Sequence, residues 1–365
     1  MQRVTITDVA RAAGLSISTI SKVVNGRDGI APATQEHVRR VIDELGYVSN
    51  IGAQSLRTKR TGVVGVLVGQ FEPYSAEILK GVGHRAQGTN TEIMAWAGAS
   101  YTPTAPDGWE RQLFGRLAGT IIDGAIIVTP SVKGKLGPYP VVAVDPQELH
   151  PDQPYVHSDD IAGIRSAVQH LAALGHRRVG FIGGRQDLAS ATARERGFRA
   201  AIADVGLRIN ENHIRRGDYS AAGADAPAGM LLDDPDRPTA IIAANDVSAL
   251  RVVAAAQRRG LRVPADLSVV GFDDIPEAAR SAPGLTTVAQ PLQDIGAVAL
   301  EMLLEMLDGS QPKVMHHKLD TQLIIRDSTA PPPAETLERF TPRAMGDSSS
   351  PVSYTHLTLP TNREV

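Results

Sequence analysis

The 365-residue chain contains no cysteine. Disulfide bonds, thiol nucleophiles and cysteine-ligated metal sites are therefore excluded. Aromatic residues are also sparse, at 4% of the sequence. No apolar run approaches the roughly 18 residues that span a membrane, and the N-terminal stretch MQRVTITDVARAAG lacks the uninterrupted apolar segment of a secretory signal. These absences predict a cytoplasmic protein that does not associate with a membrane.

Charge is distributed unevenly along a chain whose length favours two or three domains. Residues 1–60 carry nine Lys and Arg against five Asp and Glu, whereas residues 61–365 carry 28 against 35. A basic N-terminal segment on an acidic body fits phosphate binding at one end of the molecule, although an ordinary solvated surface gives the same count.

The C-terminal residues 331–365 are rich in Pro, Ser and Thr, which is typical of a disordered tail. Within them, PVSYTHLTLPT resembles a translated adapter sequence from DNA-library preparation. We therefore expect residues 351–365 to be an artefact with no part in function.

Residues 4–24, VTITDVARAAGLSISTISKVV, have the pattern of two short helices joined by a tight turn. Thr5 and Asp8 fit a capping box at the start of the first helix. Gly14 can take the left-handed conformation that ends this helix, and Ser16 is placed to cap the second. The spacing is that of a helix-turn-helix unit. A helical hairpin with a solvated polar face is the alternative.

In a helix-turn-helix unit, the N-terminal half of the second helix faces base edges in the major groove. Lys22 can donate to guanine O6 and N7, Ile17 can contact a thymine methyl group, and Ser18 is adaptable. The predicted DNA contacts of this region are Thr5, Ser16, Ile17, Ser18, Thr19, Ser21, Lys22, Asn25 and Thr34.

A third helix is predicted to begin at Pro32, a favourable first helical residue, and to end before Gly46. Its apolar residues recur at helical spacing, so three small helices can share one core. These residues are Val38, Val41, Ile42 and Leu45.

The remainder of the chain is predicted to be of the α/β class, because short Val- and Ile-rich runs, which are typical of buried parallel strands, alternate with helical stretches. The runs are VVGVLV, EIMAWA, GAIIVT, VVAVD, RVGFIGG, TAIIAAND and LSVVGFDD. Ligands of open parallel sheets bind beyond the carboxyl ends of the strands. The polar residues that end these runs are Asp145, Asn245, Asp246, Asp273 and Asp274.

Several segments resemble the lactose-repressor/galactose-repressor family of bacterial regulators: TITDVARAAGLSISTISKVVNG, GYVSN, AQSL, GHRRVGFIGG, RERGFRAAI, PTAIIAANDVSAL, GLRVPADLSVVGFDD and LTTVAQP. The resemblance covers residues 4–330. It implies a three-helix headpiece at 1–48, a hinge at 49–60 and an effector-binding and dimerisation domain at 61–330. That domain would have a periplasmic-binding-protein-like fold, with two Rossmann-like lobes around a cleft that the chain crosses three times.

The resemblance further implies that residues 50–58 are a hinge that becomes helical on operator DNA, with contacts from Asn50, Ala53, Gln54 and Leu56. Leu56 matches a leucine that wedges into the minor groove and kinks the duplex. Ser49 stands where the family usually has proline, and Gly52 disfavours a helix by about 1 kcal/mol relative to alanine. We therefore expect a hinge that depends strongly on DNA to fold. A plain linker is the alternative.

Five residues match effector-contact positions of the family: Tyr74, Arg194, Tyr219, Asn245 and Asp273. Arg194 can make forked hydrogen bonds to vicinal hydroxyls or a carboxylate, and Tyr219 offers an aromatic face. The alternatives are a surface ion pair for Arg194 and helix caps for the strand-end Asp and Asn. Tyr74 keeps one aromatic residue where the family often has a pair, and Ser75 replaces the second. The resemblance implies a sugar or sugar derivative as effector.

The predicted function is that of a sequence-specific transcriptional regulator, specifically a repressor, that binds a palindromic operator as a homodimer. No nucleophile elbow, phosphate-binding loop or metalloprotease motif is present, so neither an enzyme nor a bound cofactor or metal is expected. A solute-binding transport protein would need a secretory signal or a lipoprotein cysteine. Control by a partner protein remains open, as does the choice between inducer and corepressor.

Overall fold

The computed structural model describes residues 4–24, 28–47, 60–98, 108–130 and 138–333. Its helices are α1 (Ile6–Ala13), α2 (Ile17–Val24), α3 (Pro32–Leu45), α4 (Pro73–Ala86), α5 (Trp109–Leu117), α6 (Asp160–Ala173), α7 (Ala189–Asp204), α8 (Ala221–Leu232), α9 (Asp246–Arg258), α10 (Pro276–Arg280) and α11 (Leu292–Leu307). None of the helices in these ranges is long and apolar enough to cross a membrane.

The twelve strands of the described residues form two six-stranded sheets. They are β1 (Val63–Val68), β2 (Glu92–Ala97), β3 (Gly124–Val128), β4 (Val141–Val144), β5 (Tyr155–Ser158), β6 (Val179–Gly183), β7 (Ile214–Arg216), β8 (Ala240–Ala243), β9 (Ser268–Asp273), β10 (Thr286–Ala289), β11 (His316–Leu319) and β12 (Gln322–Ile324).

The N-terminal helices begin and end as the sequence predicts. The Thr5 amide donates to Asp8 Oδ2 at 3.0 Å and the Asp8 amide to Thr5 Oγ1 at 3.4 Å, which completes the capping box. Gly14 ends α1 with φ at 66°. The Thr19 amide donates to Ser16 Oγ at 3.1 Å, so Ser16 caps α2.

One apolar cluster joins these three helices, and it includes the fully buried Val9, Ile20 and Val38. The prediction that Leu45 is part of this core is wrong, because its side chain is 37% exposed. Leu45 lies in the last turn of α3, and Tyr47, beyond the helix, packs against the core in its place.

The first lobe contains the sheet with strand order β11-β5-β4-β3-β1-β2. Its recorded strand pairs are all parallel. The second lobe has the order β12-β10-β9-β8-β6-β7, and only β12 pairs in the antiparallel sense. Separate apolar clusters cover the two sheets, with Ile126 and Val142 among the buried residues of the first and Phe181 and Val270 among those of the second.

The chain passes between the lobes three times, as the resemblance implied. The crossings lie between β5 and α6, between β10 and α11, and between β11 and β12. Helix α11 therefore belongs to the first lobe although it follows the second in sequence. It packs closely on α4, because a methyl group added to Gly81 or to Gly296 would overlap the backbone of the opposite helix.

All seven runs predicted as strands contain one. The prediction that EIMAWA is buried is wrong: β2 is the outer strand of its sheet, and its residues are exposed or half-buried. The short strands β5, β7, β10, β11 and β12 carry no long apolar run, and the sequence pattern did not single them out.

Candidate functional site

Helix α2 presents one polar face away from the three-helix core. Ile17 is 49% exposed, Ser18 and Lys22 are exposed, and Ser21 is half-buried. The hydroxyl groups of Ser16 and Thr19 lie 2.9 Å apart at the start of the same helix. This face has one apolar side chain, hydroxyl groups and one cation, a set that can read base edges in a major groove.

The other predicted DNA contacts are distributed differently. Thr5 lies at the cap of α1, where its hydroxyl donates to Asp8 Oδ2 at 2.6 Å, and half-buried Thr34 lies in the first turn of α3. The remaining predicted contacts lie outside the described residues: Asn25, Asn50, Ala53, Gln54 and Leu56. Most of the predicted hinge, and the boundary before it, also lie outside the described residues.

Residues at or just beyond the ends of strands from both sheets line the cleft between the lobes. Asp145 follows β4 with φ at 46°, and Asp273 ends β9 with φ at 114°. Tyr219, in the loop after β7, has φ at 72°. Non-glycine residues rarely take positive φ, and such strained residues concentrate at ligand sites.

Arg194 of α7 lies at the centre of this region and is 3% exposed. Its Nε donates to Asp160 Oδ1 at 2.7 Å, and its Nη1 donates to the Ala244 carbonyl at 2.5 Å. Nη1 also lies 3.6 Å from Asp273 Oδ1. The guanidinium carbon stacks 3.8 Å from the centroid of the Phe272 ring. Burial opposes the charge of Arg194, but the neighbouring carboxylates outweigh this effect and raise its pKa.

Tyr74, in the first turn of α4, donates its hydroxyl proton to Asp145 Oδ2. Burial and the neighbouring carboxylate raise the pKa of Tyr74 well above its usual value. Burial also raises the pKa of Asp145, while the Tyr74 hydrogen bond and the charge of Arg194 lower it. Residues of the first lobe therefore lie within electrostatic reach of Arg194 in the second.

Asp273 is linked through Gln290 to a residue of the first lobe. Gln290 Nε2 donates to Asp273 Oδ1 at 2.6 Å, and Ser158 Oγ donates to Gln290 Oε1 at 2.6 Å. Burial raises the pKa of Asp273 well above its usual value, and the charge of Arg194 opposes this shift. Because Ser158 and Gln290 lie at two of the crossings, this chain of hydrogen bonds connects the cleft to the segments that join the lobes.

The ring of Tyr219 packs directly on Gly184, where a methyl group would overlap it. Its hydroxyl lies 3.3 Å from Ser190 Oγ, and burial raises its pKa to about 12. Asn245 donates through Nδ2 to the Tyr219 carbonyl at 2.9 Å and accepts from the Ser248 amide at 3.0 Å. Asn245 therefore caps α9 and holds the backbone of Tyr219.

The rim of the cleft carries polar groups from both lobes. Gln147, after β4, donates through Nε2 to Asp187 Oδ2 at 2.8 Å. Arg185, after β6, holds the same carboxylate with bonds of 2.7 and 2.6 Å. Burial raises the pKa of nearby Glu72, although the charge of Arg185 opposes the shift. The described residues contain no group of three or more His, Cys, Asp or Glu placed to hold a metal ion.

Comparison with known proteins finds two family models that match parts of the chain. The family described as "Bacterial regulatory proteins, lacI family" matches residues 5–50, and the "Periplasmic binding protein-like domain" matches residues 168–329. The HTH-type transcriptional regulator CelR of Thermobifida fusca is 33% identical over 342 residues, covering 90% of this chain and 98% of its own length. The chain belongs to the LacI family.

Solved structures agree with this assignment. A lac repressor dimer bound to operator and the anti-inducer ONPF is 27% identical with a TM-score of 0.77, over 90% of this chain and all of that one. A complex of CelR with cellobiose is 32% identical with a TM-score of 0.66, over 89% and 100% of the two chains. This LacI-family protein is a sequence-specific DNA-binding transcriptional regulator.

The five predicted effector contacts of this LacI-family regulator come together around the cleft. Sequence reasoning did not find three of their neighbours, which are Asp160, Phe272 and Gln290. Asp160 is the second of two adjacent aspartates, and only the fold shows that Asp159 caps α6 at the surface while Asp160 turns inward to Arg194. Asp145 was recognisable because it directly follows a buried strand.

Proposed function

We propose that this regulator represses transcription by binding a palindromic operator as a homodimer, and that a small-molecule effector in the interlobe cleft changes its affinity for that operator. The observation that carries the effector role is the convergence of Tyr74 and Asp145 from one lobe with Arg194 and Asp273 from the other. A site of a few fixed polar groups among buried aromatic side chains is the usual form of a ligand pocket.

For DNA, we propose that the exposed face of α2 enters the major groove, with Ile17, Ser18 and Lys22 toward base edges. The resemblance supplies the hinge contacts Asn50, Ala53, Gln54 and Leu56. A dimer would place two such helices on two half-sites, which is why the operator would be palindromic.

For the effector, we propose a carbohydrate or carbohydrate derivative. Tyr74 and Tyr219 offer aromatic groups, and Asp145 and Asp273 are hydrogen-bond acceptors for hydroxyl groups. The cellobiose complex of the related CelR supports this class of ligand. Asn245 would act indirectly, by holding the Tyr219 backbone.

The proposed mechanism couples two equilibria. Effector binding would change the relative position of the lobes, and with it the spacing of the two hinges. An effector shifts operator affinity only through its differential binding to the two arrangements, typically about 1–3 kcal/mol of coupling. The protein would act by binding and not by catalysis, in the bacterial cytoplasm, where chromosomal DNA lies.

The test is to capture fragments of the source genome with the full chain at moderate salt and to sequence them. We expect a few palindromic sites to be enriched, and neutral sugars and their derivatives are then screened for release of these fragments. Enrichment without palindromes would contradict the dimeric arrangement. If the folded protein enriches no site, with or without the sugars, the proposed regulatory function is contradicted.

Two mutations separate the two halves of this proposal. Leu56→Ala should lower operator affinity at least tenfold and leave effector affinity unchanged, because the wedge contacts only DNA. Unchanged operator affinity would contradict the wedge role. Asp273→Ala should leave operator affinity unchanged and abolish the effector response, and a normal response would remove Asp273 from the pocket.

A further inference from the structure

The buried guanidinium of Arg194 is largely occupied by the protein itself. Its Nε is bonded to Asp160 Oδ1 and its Nη1 to the Ala244 carbonyl, so two of its three nitrogens have protein acceptors. One face lies on Phe272. The forked pair of hydrogen bonds that a guanidinium offers to a carboxylate or phosphate needs two nitrogens on one edge. Asp160 holds one of the nitrogens that could form such an edge.

The charges in the cleft are also unequal. Among the described residues of the cleft, three buried carboxyl groups, those of Asp145, Asp160 and Asp273, lie near one buried cation, Arg194. Asp145 and Asp273 each have an uncharged partner as well, the Tyr74 hydroxyl and the Gln290 amide respectively. Asp160 is bonded directly to the guanidinium, with 2.7 Å between Oδ1 and Nε.

We propose that Asp160 determines which charge a ligand must have to bind in the cleft. By holding Arg194, it makes the cleft select uncharged, hydroxyl-rich molecules and reject sugar acids and sugar phosphates. The inference rests on the proposed effector role of the cleft. An anion entering it would meet a cation that is already neutralised, together with two further buried carboxyl groups, whereas hydroxyl groups can donate to those carboxyl oxygens.

Asp160 can hold this role because the fold fixes its position. It is the first residue of α6, immediately after the β5–α6 crossing, and is 6% exposed. Burial raises its pKa to about 6, with the charge of Arg194 opposing the shift. The direct bond of 2.7 Å to Arg194 Nε favours its ionised form, in which it can neutralise Arg194.

The decisive variant is Asp160→Asn, which keeps the side-chain shape and removes the charge. Inorganic sulfate is the probe, titrated into the full chain at pH 7.5 against sodium chloride of equal ionic strength, with binding measured by calorimetry. We expect the sulfate Kd of the variant to be at least tenfold lower than that of the wild-type protein. The double variant Asp160→Asn, Arg194→Gln should return to the wild-type value.

Asp159→Asn is the matched control, since it removes one charge from the adjacent residue. Asp159 Oδ1 accepts from the Ala162 amide at 3.1 Å, and its Oδ2 lies 2.5 Å from Lys318 Nζ near the surface. Asparagine also caps helices well. An equal gain in sulfate affinity in the two single variants, or no gain in sulfate affinity in Asp160→Asn, would overturn the proposal. If Asp160→Asn does not fold, Asp160→Ser replaces it, because it also removes the charge and adds no bulk.

A second measurement uses the wild-type protein with glucose and glucuronate, and with cellobiose and cellobionate. A wild-type protein that binds either acid more tightly than its neutral parent would overturn the proposal. The sulfate result does not depend on DNA. Failure to capture an operator together with a positive sulfate result would contradict the regulatory function and leave the role of Asp160 intact.

Discussion

The side-chain amide of Gln147 donates a hydrogen bond to the carboxylate of Asp187, with 2.8 Å between Nε2 and Oδ2, and this bond joins the two lobes at the rim of the cleft. Gln147→Ala should weaken effector binding about fivefold, because a net hydrogen bond contributes about 1 kcal/mol. Calorimetry with the effector found by operator release measures this. Gln147→Glu should weaken effector binding further by repelling Asp187. Unchanged affinity in both variants would show that the bond does not contribute to effector binding.

Gly184→Ala should displace the ring of Tyr219, since the added methyl group would overlap it. Effector affinity is expected to fall at least tenfold, while operator affinity in the absence of effector stays unchanged. Gly183→Ala is the control, because its methyl group would lie 3.5 Å from the Phe181 ring, an ordinary contact. Equal losses in both variants would point to a general effect on β6 and not to Tyr219.

Two serines of the headpiece should separate stability from recognition. Ser16→Ala removes the cap of α2 and should destabilise the three-helix unit by about 1 kcal/mol. Ser18→Ala changes an exposed side chain and should leave stability unchanged while altering operator affinity. Thermal unfolding and operator titration distinguish the two. A destabilised Ser18→Ala variant would contradict its outward position.

Asp246 should make stability depend on pH. It is fully buried, accepts from the Thr287 hydroxyl at 2.5 Å and the Ile275 amide at 2.9 Å, and burial raises its pKa from 3.8 to about 7. The folded form therefore binds the proton more tightly than the unfolded form, so this contribution to stability is lost as pH rises from about 4 to about 7.

Asp246→Asn removes that titration, and the melting temperature of the variant should fall less than that of the wild-type protein between pH 5 and pH 8. Part of the dependence of melting temperature on pH will remain, because burial also raises the pKa values of Asp145, Asp160 and Asp273. Thermal unfolding in buffers of equal ionic strength measures the difference. Identical slopes would show that Asp246 does not titrate in this range.

The headpiece was largely predictable because its signals are local. Thr5, Asp8, Gly14 and Ser16 act on backbone groups within a few residues of themselves, so their roles can be read from spacing. Leu45 was misplaced because spacing along α3 does not show where the neighbouring helices end.

The cleft was predictable only in part. Asp145 follows a buried strand and Asp273 ends one, and parallel strands bring their carboxyl ends to one edge of a sheet. The partnership of Asp160 with Arg194 joins residues 34 positions apart, and that of Ser158 with Gln290 joins residues 132 positions apart. No sequence period connects such pairs, since they depend on how the crossings bring the lobes together.

The three crossings also determine the order in which a ribosome can complete this protein. Helix α11 and strand β11 belong to the first lobe but follow the whole of β6 to β10 in the chain. The nascent first lobe must therefore wait, with Ile78 and Val82 of α4 lacking their partners Ile295 and Ala299, while the second lobe is being synthesised. Of the described strands and helices, only β12 of the second lobe is synthesised after β11, so chaperones would meet an incomplete first lobe during most of translation.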